Sequence, residues 1–313
     1  MHTRKALLLF AAPGLLSSNA LATIAFTDDL SANTRFTVVG DADSNATFGY
    51  DYSADGIPSA PNGTGTLGLK MEANLANGVA AEVAAVTPLG FSNSPYRVTF
   101  DMWSNFSIAD GSSTEFAGGS VGHDGVATGR NGATLIATGD GGSSRDYRLY
   151  KNKGEQFFAS LQYGPTLSSN NGSDPILSAA FLGLPAPAAQ GQAGTSDAGD
   201  TAFQWITMQI DVDPFAVLQG TTNDLGTATF TMTSHASGLS VEIGTVDNSN
   251  GGTVVGMEGN FAFVYADLFS SLANDPQYQF GIFDNLVVEQ IPEPSSSLLI
   301  GLAGAALFLR RRR

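Results

Sequence analysis

Apolar and polar residues alternate with period two through most of the middle of this chain, a rhythm that commits it to β-sheet. Tyr96, Val98, Phe100 and Met102 alternate with Arg97, Thr99, Asp101 and Trp103. Phe48, Tyr50 and Tyr52 are spaced the same way, as are Leu67, Leu69 and Met71. The pattern returns in 203–210, 227–233, 239–243, 261–265 and 280–288. Successive side chains of a strand point to opposite faces, so such runs bury one face and offer the other to water. Clusters of Gly, Asn, Asp and Ser, such as Asp247-Asn248-Ser249-Asn250-Gly251-Gly252, separate the runs and supply turn chemistry. Many strands with polar turns and one polar face describe an all-β, antiparallel β-sandwich. We read it as one domain over residues 23–290.

Residues 164–199 break the rhythm. They hold four prolines among many Ala, Gly and Ser residues, and only 176–184 is apolar enough to dock. So long a loop is unusual in a compact domain. It reads as an excursion with a short helical turn, the alternative being a boundary between two smaller β-domains.

Both ends of the chain differ from the middle. Arg4 and Lys5 precede an apolar run from Ala6 to Leu16, and Ala20-Leu21-Ala22 offers small residues where a signal peptidase cuts. Residues 1–22 therefore read as a signal peptide, with cleavage after Ala22, or after Ala20 as the alternative. At the other end, Pro292-Glu293-Pro294 leads into an apolar run over 298–309 and then Arg310, Arg311, Arg312 and Arg313. Twelve helical residues rise about 18 Å, short of a hydrocarbon core of about 30 Å. The arginines favour the cytoplasmic face, which leaves the bulk of the chain outside the inner membrane. Pro292 and Pro294 hold the entrance extended, within reach of an enzyme.

Triplet, apolar run and arginines, in that order, make 291–313 resemble the PEP-CTERM sorting signal of Gram-negative bacteria that make exopolysaccharide. The resemblance implies recognition by an exosortase in the inner membrane, cleavage near the triplet, and release to the cell surface or extracellular matrix. The segments PYRVTFDMW, FQWITMQIDV and FGIFDNLVVE resemble strands of concanavalin A-like (LamG or lectin-like) jelly rolls, with a galactose-binding-like jelly roll as the competitor.

Without the two ends, eight basic residues face 28 acidic ones, a net charge near −20. Such a surface repels phosphate backbones and argues against nucleic-acid binding. No cysteine is present, which removes disulfides, thiolate metal sites and cysteine nucleophiles from consideration.

Catalytic motifs are weak. Gly118-Gly119-Ser120-Val121-Gly122 matches G-x-S-x-G, but no helix follows to build a nucleophile elbow, so Ser120 is expected in an irregular glycine-rich loop. Gly63-Thr64-Gly65-Thr66-Leu67-Gly68 matches G-x-G-x-x-G but enters a strand where a dinucleotide site needs a helix. The β-domain's seven glutamates, none paired on one strand face, give a glycoside hydrolase little to work with. His123 and His235 are expected in loops or at the surface. Asp41, Asp43 and Asn45 place oxygens at alternating positions, a candidate calcium site, although Ala46 and Tyr52 break the EF-hand pattern. Trp103 and Trp205 are candidate ligand contacts if they face solvent.

These features describe an exported, non-enzymatic envelope protein, a structural or adhesive component associated with extracellular polysaccharide. The alternative is a carbohydrate-binding, lectin-like module, and the third reading is a glycan-active hydrolase. The implied partners are the exosortase, signal peptidase and polysaccharide.

Overall fold

Strands β6 (Tyr96–Asn105) and β15 (Phe280–Gln290) lie side by side at the middle of the first of two antiparallel sheets. The computed structural model describes residues 22–91, 94–111, 113–157, 162–218 and 224–291. Ala20 and the sorting segment from Pro292 to Arg313, with its apolar run 298–309, lie outside the described residues. Among the described residues no helix is long and apolar enough to cross a membrane.

Sheet A runs β13 (Ser240–Asp247), β12 (Thr227–Ser234), β11 (Trp205–Asp213), β6, β15, β4 (Leu67–Ala73) and β3 (Ser44–Asp51). The N-terminal β1 (Thr23–Asp28) also pairs with β15. Sheet B runs β10 (Gly154–Gln156), β9 (Tyr147–Lys151), β8 (Ala133–Thr138), β7 (Glu115–His123), β14 (Asn260–Asp267), β5 (Ala81–Pro88) and β2 (Thr37–Gly40). The two inner faces meet in one apolar core. At its centre Phe100, Phe261, Phe263 and Phe283 pack ring against ring, with centroids 4.9 to 6.0 Å apart. Tilted and edge-on aromatic pairs of this kind stabilise by about 1 kcal/mol each beyond the area they bury.

Sheet B differs from the one-sided sheet that the alternation predicts. Of its strands only β14 was legible as an alternating run; 81–88, 115–123, 133–138 and 147–151 are buried nearly throughout. The outer face carries a second apolar layer of Ala84, Val86, Phe116, Ile136, Tyr150, Ala262 and Val264. Arginine stems cover it: the Arg130 guanidinium lies 4.5 Å from the Tyr150 ring, and Arg148 lies 5.0 Å from Phe116. A strand buried on both faces has no reason to alternate.

Ser120 is the sharpest correction. It sits in the middle of β7, fully buried, not in a glycine-rich loop. Its hydroxyl donates to Asn131 O and accepts from Thr134 Oγ1 at 3.0 Å. The flanking glycines answer to space, since a Cβ on Gly118 would lie 2.0 Å from Leu135 O. His123 closes the same strand and is also buried, contrary to expectation. Its Nδ1 accepts from Gly125 N at 2.9 Å, so Nε2 carries the proton and donates to Gly129 O at 3.1 Å. Both nitrogens are taken, and burial lowers the imidazole pKa, keeping it neutral.

The 164–199 segment contains helix α1 (Pro175–Ala180), capped by the Asp174 carboxylate accepting from Ile176 N at 2.9 Å. Leu177, Ala180 and Phe181 anchor it in the core.

Candidate functional site

The outer face of sheet A is half covered and half open. On the covered half, Trp103, Trp205, Phe280 and Ile282 pack with Tyr52, Ile57, Phe106 and Phe203 in a separate apolar cluster. Trp103 and Trp205 stand edge to face at 5.7 Å and are 4% and 5% exposed, so neither is a solvent-facing platform. The alternation places them outward correctly; segments folded over the sheet then bury them. Trp205 Nε1 donates to Pro58 O at 2.8 Å, which ties down the loop that also carries Asn62.

Asp101 lies where the covered half meets the open half. It is fully buried, yet both carboxylate oxygens are satisfied. Oδ1 accepts from Thr207 Oγ1 at 2.6 Å and Asn62 Nδ2 at 2.7 Å; Oδ2 accepts from Asn285 Nδ2 at 2.9 Å and Asn62 N at 3.1 Å. Four donors thus meet the buried carboxylate with no cation beside it. Two backbone features make this possible. The β6–β15 register slips between Asp284 and Val287, and Asn285 there adopts φ 53°, which asparagine tolerates better than most residues. Gly63 admits the Asn285 amide closely, since a Cβ there would be 2.3 Å from its Oδ1. The first glycine of the G-x-G-x-x-G match therefore serves this contact.

The network fixes a proton position. Thr207 Oγ1 gives its only proton to Asp101, so its lone pairs accept from Asn62 Nδ2 at 3.0 Å and His235 Nε2 at 2.7 Å. His235 must therefore present an N–H at Nε2, on an exposed residue. Sequence reasoning placed His235 at the surface but had no signal for its link to Asp101, since the residues meet only through strand register.

Above this floor opens a groove of about 440 Å³, lined by Thr99, Thr207, Thr233, His235, Asn285 and Glu289 among others, with Val287 as its apolar member. Its chemistry is hydroxyl, amide, imidazole and one carboxylate. Asp284 stands directly opposite Asp101 in the strand register. It accepts from Tyr52 Oη at 2.8 Å and from Asn285 N at 2.7 Å. Burial raises its pKa to about 6 against those two bonds. The two carboxylates form a facing pair that the sequence did not disclose, but they are 0% and 3% exposed and lie under the floor.

The candidate calcium residues separate in the structure. Asp41 Oδ2 accepts from Glu82 N at 2.8 Å, and Asp43 Oδ2 accepts from Ala76 N and Asn77 N at 3.1 and 2.8 Å. Asn45 donates to Thr47 Oγ1 at 3.2 Å and Glu72 Oε2 at 3.4 Å. Each holds a different piece of backbone or side chain. Among the described residues no three His, Asp or Glu side chains gather as a metal site.

The family model described as the PEP-CTERM protein-sorting motif matches residues 290–313, and the motif implies export to the cell surface through a membrane-associated exosortase. No curated protein matches the chain. Among solved structures it is similar to the marine PL-14 alginate lyase from Aplysia kurodai, at 9% identity over 86% of this chain and 100% of that one, TM-score 0.40. A protein of unknown function, SO2946 from Shewanella oneidensis MR-1, aligns at 11% identity over 90% and 98% of the two chains, TM-score 0.41. Arcelin-5, a lectin-like defense protein from Phaseolus vulgaris, aligns at 9% identity over 84% and 97%, TM-score 0.36.

Proposed function

We propose that this protein is a non-catalytic component of the cell envelope that holds a neutral surface glycan in the sheet A groove, after sorting by an exosortase. The observation that supports this reading is the Asp101–Thr207–His235 relay with Asn62 and Asn285, a hydrogen-bonding floor whose donors and acceptors are fixed before any ligand arrives. Preorganised polar groups lose little entropy when a ligand binds, and sugar hydroxyls both donate and accept. A strongly acidic chain and Glu289 in the lining disfavour polyanionic glycans. The buried Asp101 and Asp284 serve the floor and do not reach a substrate. Glycan-array binding by the purified protein, repeated with His235→Ala and Thr233→Ala, tests the reading. We expect roughly a tenfold loss in each variant, as for one or two lost hydrogen bonds. Absence of any glycan binding, or binding indifferent to both changes, would reject it. Release of reducing ends from a glycan by the purified protein would make it a glycan-cleaving enzyme instead.

The same proposal covers the ends. Residues 1–22 are a signal peptide removed on export, a reading that agrees with β1 starting at Thr23. The 298–309 run is a short membrane helix that is held transiently until the exosortase cuts near Pro292-Glu293-Pro294. Mass spectrometry of the surface-associated protein from its host is expected to show a C-terminus lacking Arg310 to Arg313. An intact C-terminus on that mature protein would exclude processing.

A further inference from the structure

Outside the groove, three loops converge beside sheet B: the β8–β9 connection with Asp140 and Asp146, the segment around Gly172, and 197–200. Gly141 N donates to Asp197 O at 2.8 Å and Gly199 N to Gly139 O at 2.7 Å, so the first and third loops are zipped together. Asp146 N donates to Asn170 O at 3.0 Å and ties in the second. Between them lies a cavity of about 300 Å³ lined by Gly141, Ser143, Asp146, Gly172, Asp197 and Asp200 among others.

Asp146 is 5% exposed and lines this cavity, and its Oδ1 has no hydrogen-bond partner. An ionised oxygen left so is costly unless a cation or proton meets it. Asp200 lies close by: a Cβ on Gly172 would be 2.6 Å from Asp146 Oδ2 and 3.0 Å from Asp200 Oδ2, so glycine keeps the space between the carboxylates open. Arg145 and Arg148, the nearest cations in sequence, both turn to Glu155, with Arg148 Nη1 3.3 Å from Oε2. Burial, and then the Asp200 charge, push Asp146 up to about 7, and burial also raises Asp200.

We infer that the cavity between Asp146 and Asp200 is a calcium site. Two carboxylates, the Ser143 hydroxyl, main-chain carbonyls of the glycine-rich loops and water provide the six to eight oxygens that calcium takes. Irregular loops on three sides suit its variable geometry better than the strict octahedron of magnesium. A bound ion would clamp the three loops together and supply the charge that Asp146 Oδ1 lacks.

Titration calorimetry of the chelator-stripped full chain with calcium chloride tests the site, with magnesium chloride as the comparison. One calcium per chain is expected, with a dissociation constant on the order of 10⁻⁴ M, as in extracellular modules. Asp146→Asn and Asp200→Asn should each weaken binding at least tenfold; Asp43→Asn should leave it unchanged. At a hundredfold excess over the dissociation constant, calcium should raise the melting temperature of the wild type by about 5 °C and of neither site variant. Asp200 is only partly buried, so its variant decides the matter if Asp146→Asn fails to fold. Absence of saturable calcium binding, equal affinity for magnesium, or calcium binding undiminished in Asp200→Asn would overturn the assignment.

Discussion

Replacing Glu115 with glutamine is expected to remove the largest single part of the protein's loss of stability between pH 6.5 and 8.5. Glu115 opens β7 and is almost fully buried opposite Asp267 on β14. Ser113 Oγ donates to its Oε1 at 2.7 Å, while Oε2 has no partner. Burial raises its pKa to about 8, helped by the charges of Asp267 and Asp140 and opposed by the Ser113 bond. The folded state therefore holds a proton that the unfolded state has released above its ordinary pKa of 4.5. Stability is greatest below that value and falls as pH rises toward 8, by up to about 1.4 kcal/mol per unit. Below about pH 6.5 His123 works in the opposite direction, because its lowered pKa means that acid charges it in the unfolded state first. Between 6.5 and 8.5 the Glu115 contribution comes to about 2 kcal/mol. Urea unfolding of wild type and Glu115→Gln at both pH values isolates it, since the amide keeps the shape and cannot ionise. Equal slopes in the two proteins would show that Glu115 is already ionised in the fold.

Gly118→Ala is expected to be the more damaging change, with a loss beyond about 3 kcal/mol or no folded protein at all. Its Cβ would lie 2.0 Å from Leu135 O and 2.8 Å from Ile136 Cα, both backbone atoms of β8 in the pair that holds sheet B. Backbone in a ladder cannot swing aside as a side chain does. Gly119→Ala meets ring atoms alone, Phe100 at 2.7 Å and Phe261 at 3.4 Å, and overpacking against rings costs about 1–3 kcal/mol. Ser120→Ala loses the bonds to Asn131 and Thr134, about 1 kcal/mol. Thermal melts should rank the three in that order. A Gly118→Ala protein melting within about 2 °C of wild type would mean that the two strands separate more readily than the packing implies.

The contrast between the two sheets explains what the sequence disclosed. Strands of sheet A alternate because their outer face is partly open, so Val98-Thr99-Phe100-Asp101 reads correctly inward and outward. Sheet B hides the signal, because Ala81 to Val86 is buried on both faces and even Glu82 is nearly covered, held by Arg130 at 2.5 Å. Ser120 looked like a loop residue because its glycines suggest turns, yet those glycines are there for strand spacing. The floor of the groove was legible only as separate parts. Thr207 and Asp101 are outward positions on alternating strands, but their pairing depends on the β6–β11 register and on a bulge at Asn285 that no local pattern announces. The tryptophans show the same limit in reverse: alternation gives a direction, not what will fold over it.

The last strand has a mechanical consequence. β15 is an interior strand, bonded to β6 on one side and to β4 and β1 on the other, and it ends at Gln290 where the sorting motif begins. Sheet A cannot close until this final segment has joined it, so its halves meet only after nearly the whole chain has crossed the membrane. Once the sheet is closed, a pull on the C-terminal end of β15 runs along the strand. Hydrogen bonds to neighbours on both flanks then share the load in shear and do not peel one at a time. A pull on the tail is therefore borne by a strand held along both flanks.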